Sequence, residues 1–221
     1  MTDATLVHDL PLVTLRQVAV TAMDNNVYLL TSKQTGAQVL VDAAGEPDTI
    51  TGLLTAARAD SPRPTRLVSI ITTHRHLDHI GALAEMVAQT GAQTLAGSAD
   101  ADAIEQATGV PTGRRLVDGD RVSVDDIELE VVGLQGHTPG SVALVHRSAG
   151  HPAVLLSGDS LFPGGPGKTT SPADFDSLMT DLEQRVFARY GDDTVVLPGH
   201  GRSTTLGAER PQLPQWWARR W

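Results

Sequence analysis

His74-Arg75-His76-Leu77-Asp78-His79 packs three imidazoles and one carboxylate into six residues. The run follows residues 67–71, a compact apolar stretch that reads as a buried strand ending at Thr73. By the chain's own His and Asp frequencies, chance yields such a pattern about once in a thousand trials. The residue types point to metal chemistry. A catalytic zinc takes His nitrogens at about 2.0–2.1 Å and keeps a position open for water. Two ions about 3.5–4 Å apart need about six or seven ligands, some of them shared. One loop cannot supply them all.

Further candidates stand where expected strands end. His137 lies in Gly136-His137-Thr138-Pro139-Gly140 after an expected strand at 127–132, and Asp159 in Ser157-Gly158-Asp159 after 153–156. His200 lies in Pro198-Gly199-His200-Gly201 after 194–197. Open sheets place their sites beyond strand ends. Five of the eight histidines are used in this way, and His8, His146 and His151 read as structural.

The rest of the chain supplies a scaffold of strands and helices. Residues 13–21, 26–32 and 38–42 read as consecutive strands, and 46–59 as a helix with Ile50, Leu53, Leu54 and Ala57 on one face. A helix is expected over 78–89 with Gly91 as its stop, and Ser98 is expected to cap another, rich in Asp100 and Asp102 in its first turn. Residues 122–131 alternate as a hairpin around Asp125-Asp126, and 141–145 and 153–156 add short strands. Ser171-Pro172 opens a helix that buries Phe175, Leu178, Leu182 and Val186 and ends at Gly191. Two runs of strands interleaved with helices imply a two-sheet α/β body with helices outside.

Composition excludes several classes. At 221 residues, the chain reads as one domain over 1–221, with 207–221 as a Trp-rich tail holding Trp216, Trp217 and Trp221. The tail is expected to pack on the body as a short helix, with an oligomer contact as the alternative. A net charge of −9 argues against a nucleic-acid partner. No apolar run approaches a membrane span and no signal peptide precedes the body, so a cytoplasmic location is expected. The absence of cysteine excludes disulfides, thiolate nucleophiles and Cys-ligated metals, leaving His and carboxylate for any ion. Lysine is scarce, with only Lys33 and Lys168 among 17 basic residues.

Taken together, the HxHxDH loop, GHTPGS ending at Ser141, SGDSLF ending at Phe162 and VLPGHG over 196–201 resemble the metallo-β-lactamase superfamily. The nearest group within it is that of the glyoxalase II-like hydrolases, and the likeness runs over about residues 13–206. It implies an αββα sandwich of two mixed β-sheets with helices on the outer faces. By the family pattern His74, His76 and His137 hold one ion, Asp78, His79 and His200 a second, and Asp159 bridges them. Asp42 matches an early family Asp that supports the site without binding metal. Two divalent ions, zinc first and iron or manganese as alternatives, would lower the pKa of a bridging water towards about 7 for attack on an ester-like carbonyl. Asp78 is the candidate for handling the proton. Lys168 falls nine positions after Asp159, where the group places a basic residue against the thiol carrier of a thioester.

The substrate implied is a small acyl-thiol or ester. Thr169-Thr170-Ser171 stands where glyoxalase II has an aromatic residue, which leaves glutathione, another small thiol, or a lactone or ester open. A mononuclear iron persulfide dioxygenase of the same superfamily, using His74, His137 and Asp159, is the alternative activity.

Overall fold

A computed structural model describes residues 4–220. Its first sheet has seven strands in the order β1 to β7. They are β1 (Thr5–Asp9), β2 (Val13–Val20), β3 (Asn25–Ser32), β4 (Ala37–Val41), β5 (Arg66–Thr72), β6 (Gln93–Gly97) and β7 (Arg114–Leu116). Pairing is antiparallel from β1 to β4 and parallel from β4 to β7. The second sheet uses β8 (Arg121–Val124), β9 (Ile127–Gly133), β10 (Val142–His146), β11 (Val154–Gly158), β14 (Val195–Pro198) and β15 (Thr204–Thr205). Its order is β15-β14-β11-β10-β9-β8, with β11 and β14 parallel. A two-stranded ribbon, β12 (Leu161–Phe162) and β13 (Gly165–Pro166), stands apart.

Both sheets are covered on both faces, and the period-2 alternation of side chains assigns each face. On β3 and β4, Tyr28, Leu30, Val39 and Val41 face the second sheet and meet Leu129, Val131, Leu144 and Leu156. Leu29 and Leu40 face the other way, against α1 (Pro47–Ala56), α2 (Leu83–Thr90) and α3 (Ala101–Thr108), whose Ile50, Leu53, Met86 and Ile104 are buried there. The outer face of the second sheet, with Val145, Leu155 and Val196, packs under α4 (Pro172–Asp181), α5 (Leu206–Glu209) and α6 (Leu213–Arg219). The result is the α/β/β/α layering expected. Strands buried on two faces read as unbroken apolar runs, which is why VLLS over 154–157 shows no alternation.

Local differences from the sequence reading have physical causes. The helix expected from residue 78 begins at Leu83; Leu77–His79 is one 3₁₀ turn, whose tighter winding presents Asp78 and His79 differently from an α-turn. Ser98 caps nothing; α3 starts at Ala101 with Asp100 at the cap position, and the Asp100 side chain points away from the helix N–H groups. Ser171 does cap α4, accepting from Asp174 N at 3.2 Å, but the helix widens into a π-turn at Leu182–Phe187. Strands β1, β6 and β7 had no distinct signal; two of them are at sheet edges and β7 has three residues.

The tail packs on its own chain. Trp216 is 2% exposed against Phe187, and Trp217 Nε1 donates to Glu183 Oε1 at 2.9 Å while its ring stands edge-on to Phe175. Trp221 lies outside the described residues. Among the described residues no helix is long and apolar enough to cross a membrane.

The two sheets are pinned together at one edge, where β5, β9, β11 and β14 end. Asn26 N donates to Gly199 O at 2.7 Å, Asn26 Nδ2 to Pro198 O and Gly201 O at 2.9 Å each, and Tyr28 Oη to Pro198 O at 2.7 Å. At the same edge Gly97 closes β6 so tightly on the next sheet that a Cβ there would collide with the Gly140 carbonyl oxygen. Gly97→Ala should therefore destabilise the protein by about 1–3 kcal/mol, a typical overpacking effect. For a chain of this size that lowers Tm by roughly 2–4 °C per kcal/mol, read by calorimetry against wild type.

Candidate metal centre

The 73–79 loop leaves β5 and is fixed from below by one buried carboxylate. Asp42, 2% exposed, follows β4 with φ of 60°, a left-handed conformation that Asp tolerates better than most residues. Its Oδ1 accepts from Thr73 N at 2.7 Å, and its Oδ2 from Thr73 Oγ1 at 2.8 Å and from His79 Nδ1 at 2.9 Å. His79 Nε2 is thereby turned to the centre. The other rings are anchored in the same way: His74 Nδ1 lies 3.0 Å from Thr73 Oγ1, His137 Nδ1 2.7 Å from Lys168 O, and His200 Nδ1 2.9 Å from Met23 O. Fixing one ring nitrogen from outside sets the tautomer and aims the other.

Three overlapping groups of donors result: His74, His76 and His137; His74, His79 and Asp159; Asp78, His79 and His200, with donor atoms within 4.8 Å of one another in each. His74 Nε2 lies 3.0 Å from His76 Nδ1, and His79 Nε2 lies 3.1 Å from His200 Nε2. Asp159 sits between the halves, Oδ1 at 3.4 Å from His79 Nε2, and Oδ2 at 3.4 Å from His200 Nε2 and 3.6 Å from His137 Nε2. Asp78 Oδ2 lies 3.2 Å from His200 Nε2 and accepts from Asn25 Nδ2 at 3.0 Å.

The donor set fits divalent ions. His137 Nε2 and Asp159 Oδ1 are buried with no hydrogen-bond partner, a costly state for polar atoms unless a cation is to be their partner. Nitrogen and carboxylate donors suit zinc, iron or manganese alike.

Electrostatically the two halves differ. Burial, reinforced by the neighbouring His79, pushes His74 well below the ordinary imidazole range, and burial with His137 nearby lowers His76. His79 goes the other way: burial works against its charge, but Asp42 and Asp159 outweigh it and push the imidazole up to about 10. The Asp159 hydrogen bond raises His200, against its burial. Burial works to raise Asp159 and Asp78, yet the His200 and His79 rings beside it hold Asp159 far below the usual carboxylate range, and the Asn25 hydrogen bond with His79 lowers Asp78.

Residues 20–200 match the metallo-beta-lactamase superfamily. The chain belongs to that superfamily. It is similar to the hydroxyacylglutathione hydrolase GloC of Haemophilus influenzae, 27% identical over 213 residues that cover 89% of this chain and 95% of that one. A hydroxyacylglutathione hydrolase of Pseudomonas syringae pv. syringae is 34% identical over 179 residues, 80% of this chain; the chain spans only 62% of that longer relative. Among solved structures, TTHA1623 in a di-iron-bound form superposes with a TM-score of 0.69 at 27% identity, covering 88% of this chain and 96% of that one.

All seven residues singled out by sequence, His74, His76, Asp78, His79, His137, Asp159 and His200, thus meet at one point, with Asp42 beneath them. The Lys168 side chain is exposed beside the centre, its carbonyl being the group that anchors His137. Sequence reading missed Asn25, which contacts Asp78, because an Asn in a turn carries no spacing signal.

In the metal-free protein His79 is a charged group between two carboxylates. A folded-state pKa raised from 6.5 to about 10 adds stability that is complete below 6.5 and lost as pH rises through 10. The Tm of metal-stripped protein should therefore fall across that window, and Asp42→Asn should flatten the fall; calorimetry at stepped pH reads both.

Proposed function

We propose that the protein is a dinuclear metallohydrolase that cleaves the thioester of a small anionic thiol carrier. The observation that carries this is the presence of two complete donor triads, one of three histidines and one of Asp78, His79 and His200, meeting at Asp159. His74, His76 and His137 would hold one ion and Asp78, His79 and His200 the other, with Asp159 shared. When bound, such ions lower the pKa of water towards about 7 and polarise a carbonyl.

The chain's own groups do the rest. Asp78, kept ionised and aimed by Asn25, takes up the proton released as water attacks. Lys168, nine residues beyond Asp159 and held close by its carbonyl's bond to His137, meets the negative charge of the carrier. Met23 and Leu77, 61% and 72% exposed, flank the second triad through the Met23 O contact to His200 and the Leu77-Asp78 peptide. They offer apolar surface to the acyl portion of the substrate. The naming of two relatives as hydroxyacylglutathione hydrolases supports an acyl-thiol over a lactone. Zinc is the metal proposed, with iron next because of the di-iron form of TTHA1623.

Elemental analysis of protein purified without added metal should give two ions per chain, and a thioester panel should find turnover. A single iron per chain, with oxygen uptake on a thiol persulfide, would replace this reading with the mononuclear dioxygenase. Asp159→Ala should lower thioester turnover by at least roughly 100-fold, the upper end for loss of even an outer partner. Lys168→Ala should raise KM roughly 10-fold with kcat little changed, the value of one charge-assisted contact made equally in ground and transition states.

A further inference from the structure

Asp100 is wholly buried, at 0% exposure, and has no part in the reaction proposed above. It stands at the N-terminus of α3 but makes no bond to that helix through its side chain. Its Oδ2 accepts from Arg75 N at 3.0 Å and from Thr138 Oγ1 at 2.5 Å, and its Oδ1 accepts from Gly140 N at 2.9 Å. Arg75 N belongs to the peptide that joins His74 to Arg75, one residue before His76, while Thr138 and Gly140 lie one and three residues after His137. One side chain therefore grips both turns that carry the three-histidine triad. Gly140 is pressed so closely on Asp100 that an added Cβ would sit 2.8 Å from the Asp100 Cβ. The Arg75 Nε, 3.8 Å from Oδ1, balances the buried charge from the half-exposed side.

We propose that Asp100 is the positioning residue of the His74–His76–His137 triad, as Asp42 is of the second triad; the inference rests on the dinuclear reading. The two triads are held by different means. Asp42 reaches His79 itself and the Thr73 peptide that precedes the loop. Asp100 touches no imidazole and acts on the backbone that spaces them. His74 and His76 come from the first sheet and His137 from the second, so their three donor nitrogens converge only if the two turns keep their separation. A backbone bond from Val142 N to Thr73 O, 2.9 Å, joins the strands below, but Asp100 alone among the described side chains bonds to both turns at the level of the ligands. Both carboxylate oxygens are needed. An amide in their place keeps one acceptor and turns its NH2 towards an N–H or hydroxyl donor, which forces the turns apart.

Metal-stripped wild type, Asp100→Asn and Asp42→Asn are titrated with Co²⁺, whose visible spectrum distinguishes the two environments, and again with Zn²⁺ in competition. His76→Ala and His200→Ala identify which step belongs to which triad. Asp100→Asn should weaken the step lost in His76→Ala by about 10–100-fold, the range for removal of an outer-sphere partner, and leave the His200 step unchanged. Asp42→Asn should weaken the His200 step most, through the lost His79 contact, and the His76 step to a lesser degree through Thr73 Oγ1, which holds His74. Thr138→Val, which removes one donor without changing shape, should weaken the His76 step to a lesser degree and carries the test if Asp100→Asn does not fold. Equal weakening of both steps, or a lowered Tm with both steps intact, would overturn the assignment and leave Asp100 as a brace of the fold. A wild-type chain that takes up no ion would remove the dinuclear reading itself.

Discussion

Two pairs of imidazole nitrogens face each other in the centre, His74 with His76 at 3.0 Å and His79 with His200 at 3.1 Å, and each pair needs a proton or a cation between its lone pairs. The surroundings hold the rings in that crowded arrangement. Each of the four rings held at Nδ1 has a fixed outer partner, Thr73, Asp42, the Lys168 carbonyl or the Met23 carbonyl, so none of them can rotate to relieve the crowding. These partners are in turn set by strand ends from both sheets. The sandwich is thus the frame that keeps crowded donors together at the edge of its core.

The two halves of the centre respond to this constraint differently. The three-histidine half relies on burial, which keeps His74 and His76 neutral and able to donate a lone pair. In the other half carboxylates surround the rings, and a charged imidazole is the stable form in the absence of metal. One half is therefore a neutral nitrogen pocket and the other an acidic one. Ions of different softness and charge demand meet different reception in each, even though the ligand types overlap.

How much of this can be read from the chain alone depends on whether chemistry leaves a local trace. The HxHxDH loop does, because three metal donors on one turn have few other uses, and the remaining donors follow short apolar strands flanked by glycine. The burial of β5 was legible in the compact apolar run over 67–71. Asp100 left no such trace. One acid among 26 Asp and Glu, at the start of a helix, reads as a partner of the helix dipole, and only the fold brings it to turns 25 and 38 to 40 residues away in sequence. Asn25 was invisible for the same reason: its partners Asp78 and His200 lie in other elements. The 3₁₀ turn at Leu77–His79 also escaped, since helical spacing of apolar residues continues through it although the backbone winding does not.

The bonds from Asn26 and Tyr28 to Pro198, Gly199 and Gly201 join an early strand to the last ligand loop of the chain. As the polypeptide leaves the ribosome from its N-terminal side, β3 and the His74–His79 loop emerge while the segment that will complete them is still unmade. During that interval Asn26 and Tyr28 lack their partners in the 198–201 turn and the loop has four of the seven donors. An ion that needs all seven donors could be captured only after synthesis has passed His200, whose ring is held from Met23, 177 residues earlier in the chain.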